Sequence, residues 1–249
     1  ACPSCLNTPS GIEVDGAGNV WVADKLNHVV RRYNKDNPSG DFSLIGTFKS
    51  PGCDNNEVSI GVPAHFNQPI DIAVNSAGDL FISEEMNPTI KRRISAGNVF
   101  PYAGKCDISN FDEGDCISGT LGTPYRIAQD GFVTYIADSG KIRTVDATVN
   151  PTCPTIRNFI NNQSPSLTYA FGIEFSKSLL PDFGPIFVTD ISKQTIKSVS
   201  LTGVVKDIST TGEAFNKPSS LVLDNQGNIF VADEGKHQIL VVYPGGKTV

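Results

Sequence analysis

Methionine and tryptophan occur once each in the 249 residues, and histidine only three times. No apolar run approaches the roughly 18 residues needed to cross a bilayer, so no membrane span is expected. No charged-then-apolar leader opens the chain, so an exported protein would correspond to its mature form. Basic residues are scarce as well: the net charge is −6. Only Arg31-Arg32 and Lys91-Arg92-Arg93 gather positive charge. Nucleic acid demands a concentrated basic footprint, so neither DNA nor RNA is expected as a partner. The two clusters read as solvated strand ends. No Gly-rich phosphate loop, Gly-x-Ser-x-Gly elbow or HExxH motif is present. Asn162-Gln-Ser164 is a glycosylation sequon, disfavoured by the Pro165 that follows.

What is present points to a loop-rich globular fold. Six cysteines lie at 2, 5, 53, 106, 116 and 153. All fall in connections or in the N-terminal lead, none in an inner strand. That placement argues for disulfide staples and an oxidising compartment, so the expected location is extracellular or periplasmic. Structural zinc would need two close pairs of ligands, and only Cys2-Pro-Ser-Cys5 offers one.

The stretch Asp15 to Tyr33 sets the pattern. Ile12 to Asp15 reads as a strand, and Gly16 and Gly18 allow a tight turn. Val20 to Ala23 is a second strand, rich in β-branched and aromatic residues. After Asp24-Lys-Leu-Asn-His28 comes a third, Val29 to Tyr33. The second strand and its acidic end recur as Trp21-Val-Ala-Asp24, Phe81-Ile-Ser-Glu84, Tyr135-Ile-Ala-Asp138, Phe187-Val-Thr-Asp190 and Phe230-Val-Ala-Asp233. Pro9, Pro69, Pro124 and Pro218 precede the first strand, with Ala170 in the fourth copy. Outer strands follow at Phe42 to Phe48, Val99 to Ala103, Thr155 to Ile160 and Val204 to Ile208. Four antiparallel strands in roughly 40–50 residues, repeated, form the blades of a β-propeller, which bury their faces only by stacking on one another.

Gly11-Ile-Glu-Val-Asp-Gly-Ala-Gly-Asn-Val-Trp-Val through Asp24-Lys-Leu-Asn-His28-Val-Val-Arg-Arg-Tyr33 resembles an NHL repeat. Glu234-Gly-Lys-His237-Gln-Ile-Leu and the connector Gly61-Val-Pro-Ala-His-Phe-Asn-Gln-Pro69 are similar to that family too. The resemblance implies an all-β propeller of NHL-type four-stranded blades. Five blades are counted in a single domain over 1–249, at roughly 9–48, 69–103, 124–160, 170–208 and 218–249. Family members often carry six, which would apply if the chain were part of a longer one. The outer strand of the last blade must come from Ala1 to Thr8 or Gly246 to Val249, closing the ring through the termini.

Strand direction places the long connectors Lys49 to Gln68 and Cys106 to Thr123 on one face, carrying Cys53, Cys106 and Cys116. Cys2 and Cys5 start there too, and Cys153 sits opposite. The favoured pair is Cys106–Cys116, across Asp112-Glu-Gly-Asp115. A second pair would join the lead to Cys53. The spacing does not choose among the remaining pairings of Cys2, Cys5, Cys53 and Cys153.

His28 and His237 occupy the repeat's own turn and His65 a connector. A histidine-ligated zinc, as in peptide-amidating lyases of similar fold, would need several on inner strands, and there are none. The recurring Asp24, Glu84, Asp138, Asp190 and Asp233 read as structural acceptors for N–H groups of the turn that follows. The inner strands depart from the small residues of the family pattern at Glu13, Asp71, Arg126 and Glu174. Charges in a narrow channel must pair, bind an ion or reach water. They read as a salt-bridge cluster, with a channel-mouth ligand or calcium site as the sharper alternative; calcium is the one cofactor such carboxylates suggest.

Three functions follow. The first is an extracellular, disulfide-stapled protein-binding or assembly module, with another copy of itself among its potential partners. The second is a propeller hydrolase or lyase built on Glu13, Asp71 and Glu174. The third is a subunit of an extracellular filament or surface layer.

Overall fold

The structure is a computed structural model that describes residues 5–37, 43–54, 64–116, 118–160, 167–176, 183–244 and 246–249. It is all-β, with five four-stranded antiparallel blades arranged as a β-propeller. Blade 1 comprises β1 (Pro9–Val14), β2 (Val20–Asp24), β3 (Val29–Tyr33) and β4 (Ser43–Ile45). Blade 2 comprises β5 (Pro69–Val74), β6 (Leu80–Glu84), β7 (Thr89–Arg93) and β8 (Val99–Gly104). Blade 3 comprises β9 (Pro124–Asp130), β10 (Val133–Asp138), β11 (Lys141–Asp146) and β12 (Thr155–Asn158). Blade 4 comprises β13 (Ala170–Phe175), β14 (Ile186–Asp190), β15 (Thr195–Val199) and β16 (Val205–Asp207). A short strand β17 (Thr211–Gly212) precedes blade 5, which comprises β18 (Pro218–Leu223), β19 (Ile229–Asp233), β20 (Gln238–Val242) and β21 (Lys247–Thr248).

The local chemistry of each blade follows the repeat. Pro opens the inner strand where a missing N–H costs least, and a bulge follows it in blades 1, 2 and 5. Gly18, Gly78 and Gly227 turn the first hairpin at φ of 84°, 80° and 82°, a region that a Cβ disfavours. Gly16 needs no such freedom. The outer strand of blade 5 comes from the C-terminal residues: Thr248 pairs with Val242, and β17 lies parallel on its far side. Among the described residues, none of the N-terminal lead joins that sheet.

The chain divides into two compact units, residues 1–134 with 145–157 and residues 135–144 with 158–249. In the first, Trp21, Ala23 and Val30 of blade 1 pack on Ile72, Leu80 and Ile82 of blade 2. Phe66, fully buried, fills the seam from the connector. In the second, Phe187 and Ile196 of blade 4 pack on Leu221, Val231 and Leu240 of blade 5, and Phe215 occupies the place of Phe66. Phe66-Asn-Gln-Pro69 and Phe215-Asn-Lys-Pro218 are thus the same device. Each ring, once buried, stabilises its seam by about 1.5–3 kcal/mol. Also in the second unit, Tyr135 stacks on Phe175 with ring centroids 5.6 Å apart.

Candidate functional site

The inner-strand charges of the first unit are joined across blades. The Arg126 guanidinium of blade 3 donates to the carbonyl of Ile70 in blade 2 at 2.9 Å and lies 3.9 Å from the Asp71 carboxylate. The other oxygen of Asp71 accepts the Ile127 amide at 2.9 Å. Both oxygens of Asp71 are therefore engaged by blade 3. Burial pushes its carboxyl above the usual range, opposed by Arg126 and by backbone amides. Glu13, on blade 1, accepts the amide of Val14 at 2.9 Å. Burial raises it as well, that amide opposes the rise, and the Asp71 charge adds to it. On the same strand Gly11 permits the close approach of blades 1 and 2. A Cβ there would sit 2.7 Å from the Asp71 Cα. Glu174 lies on β13 in the second unit, where Gly172 makes the corresponding approach to Ser220 of blade 5. Among the described residues, no group of three or more His, Cys, Asp and Glu is placed to hold a metal ion.

The acidic residue ending the second strand is a structural acceptor in blades 1, 2, 4 and 5, but its partners differ from the expected ones. The backbone N–H groups reach it mainly from the segment before the inner strand. Asn7 donates to Asp24 at 2.7 Å, Asn67 to Glu84 at 2.6 Å, Thr168 to Asp190 at 2.7 Å and Asn216 to Asp233 at 2.8 Å. From the following turn, the backbone amide of Lys193 also reaches Asp190, and the side-chain amides of Asn27 and Asn87 reach Asp24 and Glu84. In blades 1, 2, 4 and 5 the carboxylate thus pins the blade entry to the end of its second strand.

A buried cation accompanies it, which the sequence reading missed. Arg31 donates to Asp24 at 2.5 Å with both side chains fully buried. Lys91 lies 3.5 Å from Glu84, and Arg143 lies 3.6 Å from Asp138. Lys197, at the same position in blade 4, turns its ammonium to Asp207 instead. Blade 5 has Leu240 there. The clusters Arg31-Arg32 and Lys91-Arg92-Arg93 are therefore not solvated strand ends. Their alternation along a strand sends one residue inside and its neighbour to the opposite face.

The disulfides correct the expected pairing. Cys106 bonds to Cys53, with Cα atoms 6.0 Å apart, and Cys116 bonds to Cys153, at 5.0 Å. Neither Cys106–Cys116 nor a bond from the lead to Cys53 forms. The reason lies in the path of the Cys106–Thr123 connector, which does not stay on one face. Gly114 exchanges backbone hydrogen bonds with Ile156 at 3.1 and 2.6 Å, so the connector runs along the outer edge of blade 3. There it meets Cys153, which precedes β12. Cys5 is also disulfide-bonded. Cys2 lies outside the described residues, as do 55–63 of the first long connector.

His28 and His237 close their turns with left-handed φ of 58° and 56°, and His28 accepts the Gln68 amide at 3.2 Å. His65 sits in its connector against Asp54. None lies on an inner strand.

Five four-stranded antiparallel blades define the chain as a β-propeller. Residues 215–242 match the family model of the NHL repeat, consistent with an NHL-repeat propeller. The chain is 22% identical over 232 residues to the peptidylglycine alpha-amidating monooxygenase of Rattus norvegicus. That alignment covers 90% of this chain and 22% of the relative, so the chain spans about a fifth of the curated protein it matches. Among solved structures, virginiamycin B lyase from Staphylococcus aureus superposes with a TM-score of 0.60 at 13% identity, covering 97% of this chain and 83% of the other. A chain of the nidogen/laminin complex gives 0.61 at 14%, covering 89% and 73%. These likenesses to solved structures show the fold alone.

Proposed function

We propose that this chain is an extracellular, disulfide-stapled propeller that works as a protein-binding and assembly module. The observation that carries the reading is a pair of exposed apolar positions, one in each unit. Ile12 is 69% exposed, whereas Ile72, Ile127, Ile173 and Leu221, at the same place in the other blades, are 2–5% exposed. Ile239 is 63% exposed, whereas Val30, Ile90, Ile142 and Ile196 reach 2% at most. Val14 beside Ile12 and Val222 beside Ile239 are exposed as well.

Inside each unit the corresponding positions of neighbouring blades are buried against each other. The aromatic-and-Ile face of blade 1 packs on blade 2, and that of blade 4 packs on blade 5. A second copy offers surfaces of the same kind, and exposed apolar surface marks association sites. Head-to-tail contact between copies is heterologous and extends into rings or filaments. The disulfides support an oxidising, extracellular setting.

Sedimentation velocity on the purified 249-residue chain tests this. Wild type is expected to self-associate as concentration rises, and Ile12→Asp and Ile239→Asp are each expected to shift it to monomer. A wild type that stays monomeric throughout, or association unaffected by both changes, overturns the reading.

A further inference from the structure

Blade 1 and blade 2 meet at a cluster of arginines around the single tryptophan, Trp21. The Arg32 guanidinium lies 5.6 Å from the centre of the Trp21 ring and that of Arg93 lies 5.5 Å from it. Arg32 comes from blade 1, directly across from Trp21 in the ladder. Arg93 comes from blade 2, at the end of β7. Both are half-buried, and among the described residues neither has a hydrogen bond or an ion pair; Arg32 Nε is fully enclosed without an acceptor.

The nearby carboxylates are already committed. Asp79 takes Arg92 Nε and Nη2 at 3.1 and 2.6 Å on one oxygen and the Ser95 amide at 3.0 Å on the other. Asp15 takes Trp21 Nε1 and Asn19 Nδ2, both at 2.9 Å, and its other oxygen takes the amides of Ala17 and Asn19. Two guanidinium forks therefore converge on one ring with like charges and no acceptor between them. A buried, unsatisfied donor in a native fold calls for an explanation, and an absent ion is a standard one. Burial and the Arg32 charge work against the charge on Arg93, and the Asp79 carboxylate offsets them in part.

We infer that Arg32 and Arg93, over Trp21, form a binding site for an oxyanion: a carboxylate, sulfate or phosphate group taken by the two planar forks. The aromatic floor holds the guanidiniums in place by cation–π attraction and leaves their edges to the ligand. The site goes beyond self-association, because it needs neither Ile12 nor Ile239.

Trp21 is the chain's own reporter. Its emission is followed while sodium sulfate, sodium phosphate or a hexaglutamate peptide is added at ionic strength fixed with sodium chloride. A saturable change in emission is expected with at least one of them, together with a rise in Tm that follows mass action. Tighter binding of the peptide assigns the site to an acidic protein segment; binding of the inorganic ions alone assigns it to a free anion. Arg32→Gln and Arg93→Gln are expected to weaken binding about tenfold or more, as loss of a charge-assisted hydrogen bond does. Arg93→Lys keeps the charge without the fork and is expected to fall between, which keeps the test open if a glutamine variant fails to fold. Lys217→Gln, in the second unit, is expected to leave binding unchanged. No saturable response to any probe, or equal affinity in wild type and the folded Arg variants, overturns the inference.

Discussion

Glu13 is held where its charge is unwelcome. Burial and the neighbouring Asp71 raise its pKa in the folded chain above the ordinary value. A carboxyl raised on folding contributes stability that is full below its unfolded pKa and is lost as pH rises through the folded one. Glu13→Gln removes that loss. The variant is expected to melt higher than wild type at pH 7 and to lose its advantage as pH falls towards 4, as followed by thermal unfolding monitored by circular dichroism. A calcium ion between Glu13 and Asp71 would invert the result in calcium-containing buffer, since the variant would then melt lower. Gly11 makes the opposite kind of demand. Its missing Cβ is the room in which Asp71 sits, so Gly11→Ala is expected to destabilise by about 1–3 kcal/mol, read from denaturant unfolding. Glu13 was legible in the sequence because it broke a repeated pattern of small residues. The engagement of Asp71 by Arg126 and Ile127 was not, because it depends on how far one blade is offset from the next.

Within a blade, the element that matters most is the third strand with its inward cation. Arg31 and Asp24 are both fully buried, so removing one partner strands the other charge. Arg31→Met is expected to cost about 3–5 kcal/mol in chemical unfolding. Leu240 shows that the repeat tolerates an apolar residue there when the carboxylate, Asp233, keeps its amide donor. The sequence showed the recurrence of acid at the end of the second strand. It did not show the basic residue as its partner, because Arg31 and Lys91 stand beside further arginines whose side chains pack elsewhere, on Trp21 and Phe81. The connector of 106–123 misled for a similar reason. Strand direction tells where a loop leaves a sheet, not how far it travels, and this one runs to the edge of blade 3. Cys116→Ser with Cys153→Ser is expected to cost about 2–4 kcal/mol and to expose the connector to limited proteolysis.

At the scale of the whole molecule, the five-blade count and the strand order could be read directly from the repeat. Four outer strands were placed within a few residues, and the fifth was narrowed to two segments, of which the C-terminal one supplies β21. The exposed apolar positions were harder to foresee. Ile12 and Ile239 are ordinary members of the repeat by sequence, and only their exposure sets them apart from their counterparts. The two described disulfides have a consequence for the chain's durability. One bridges residues 53 to 106 and the other 116 to 153. A single cut by a protease anywhere within either span leaves both pieces covalently tied. The molecule can then be nicked and still migrate as one body until a reductant is added.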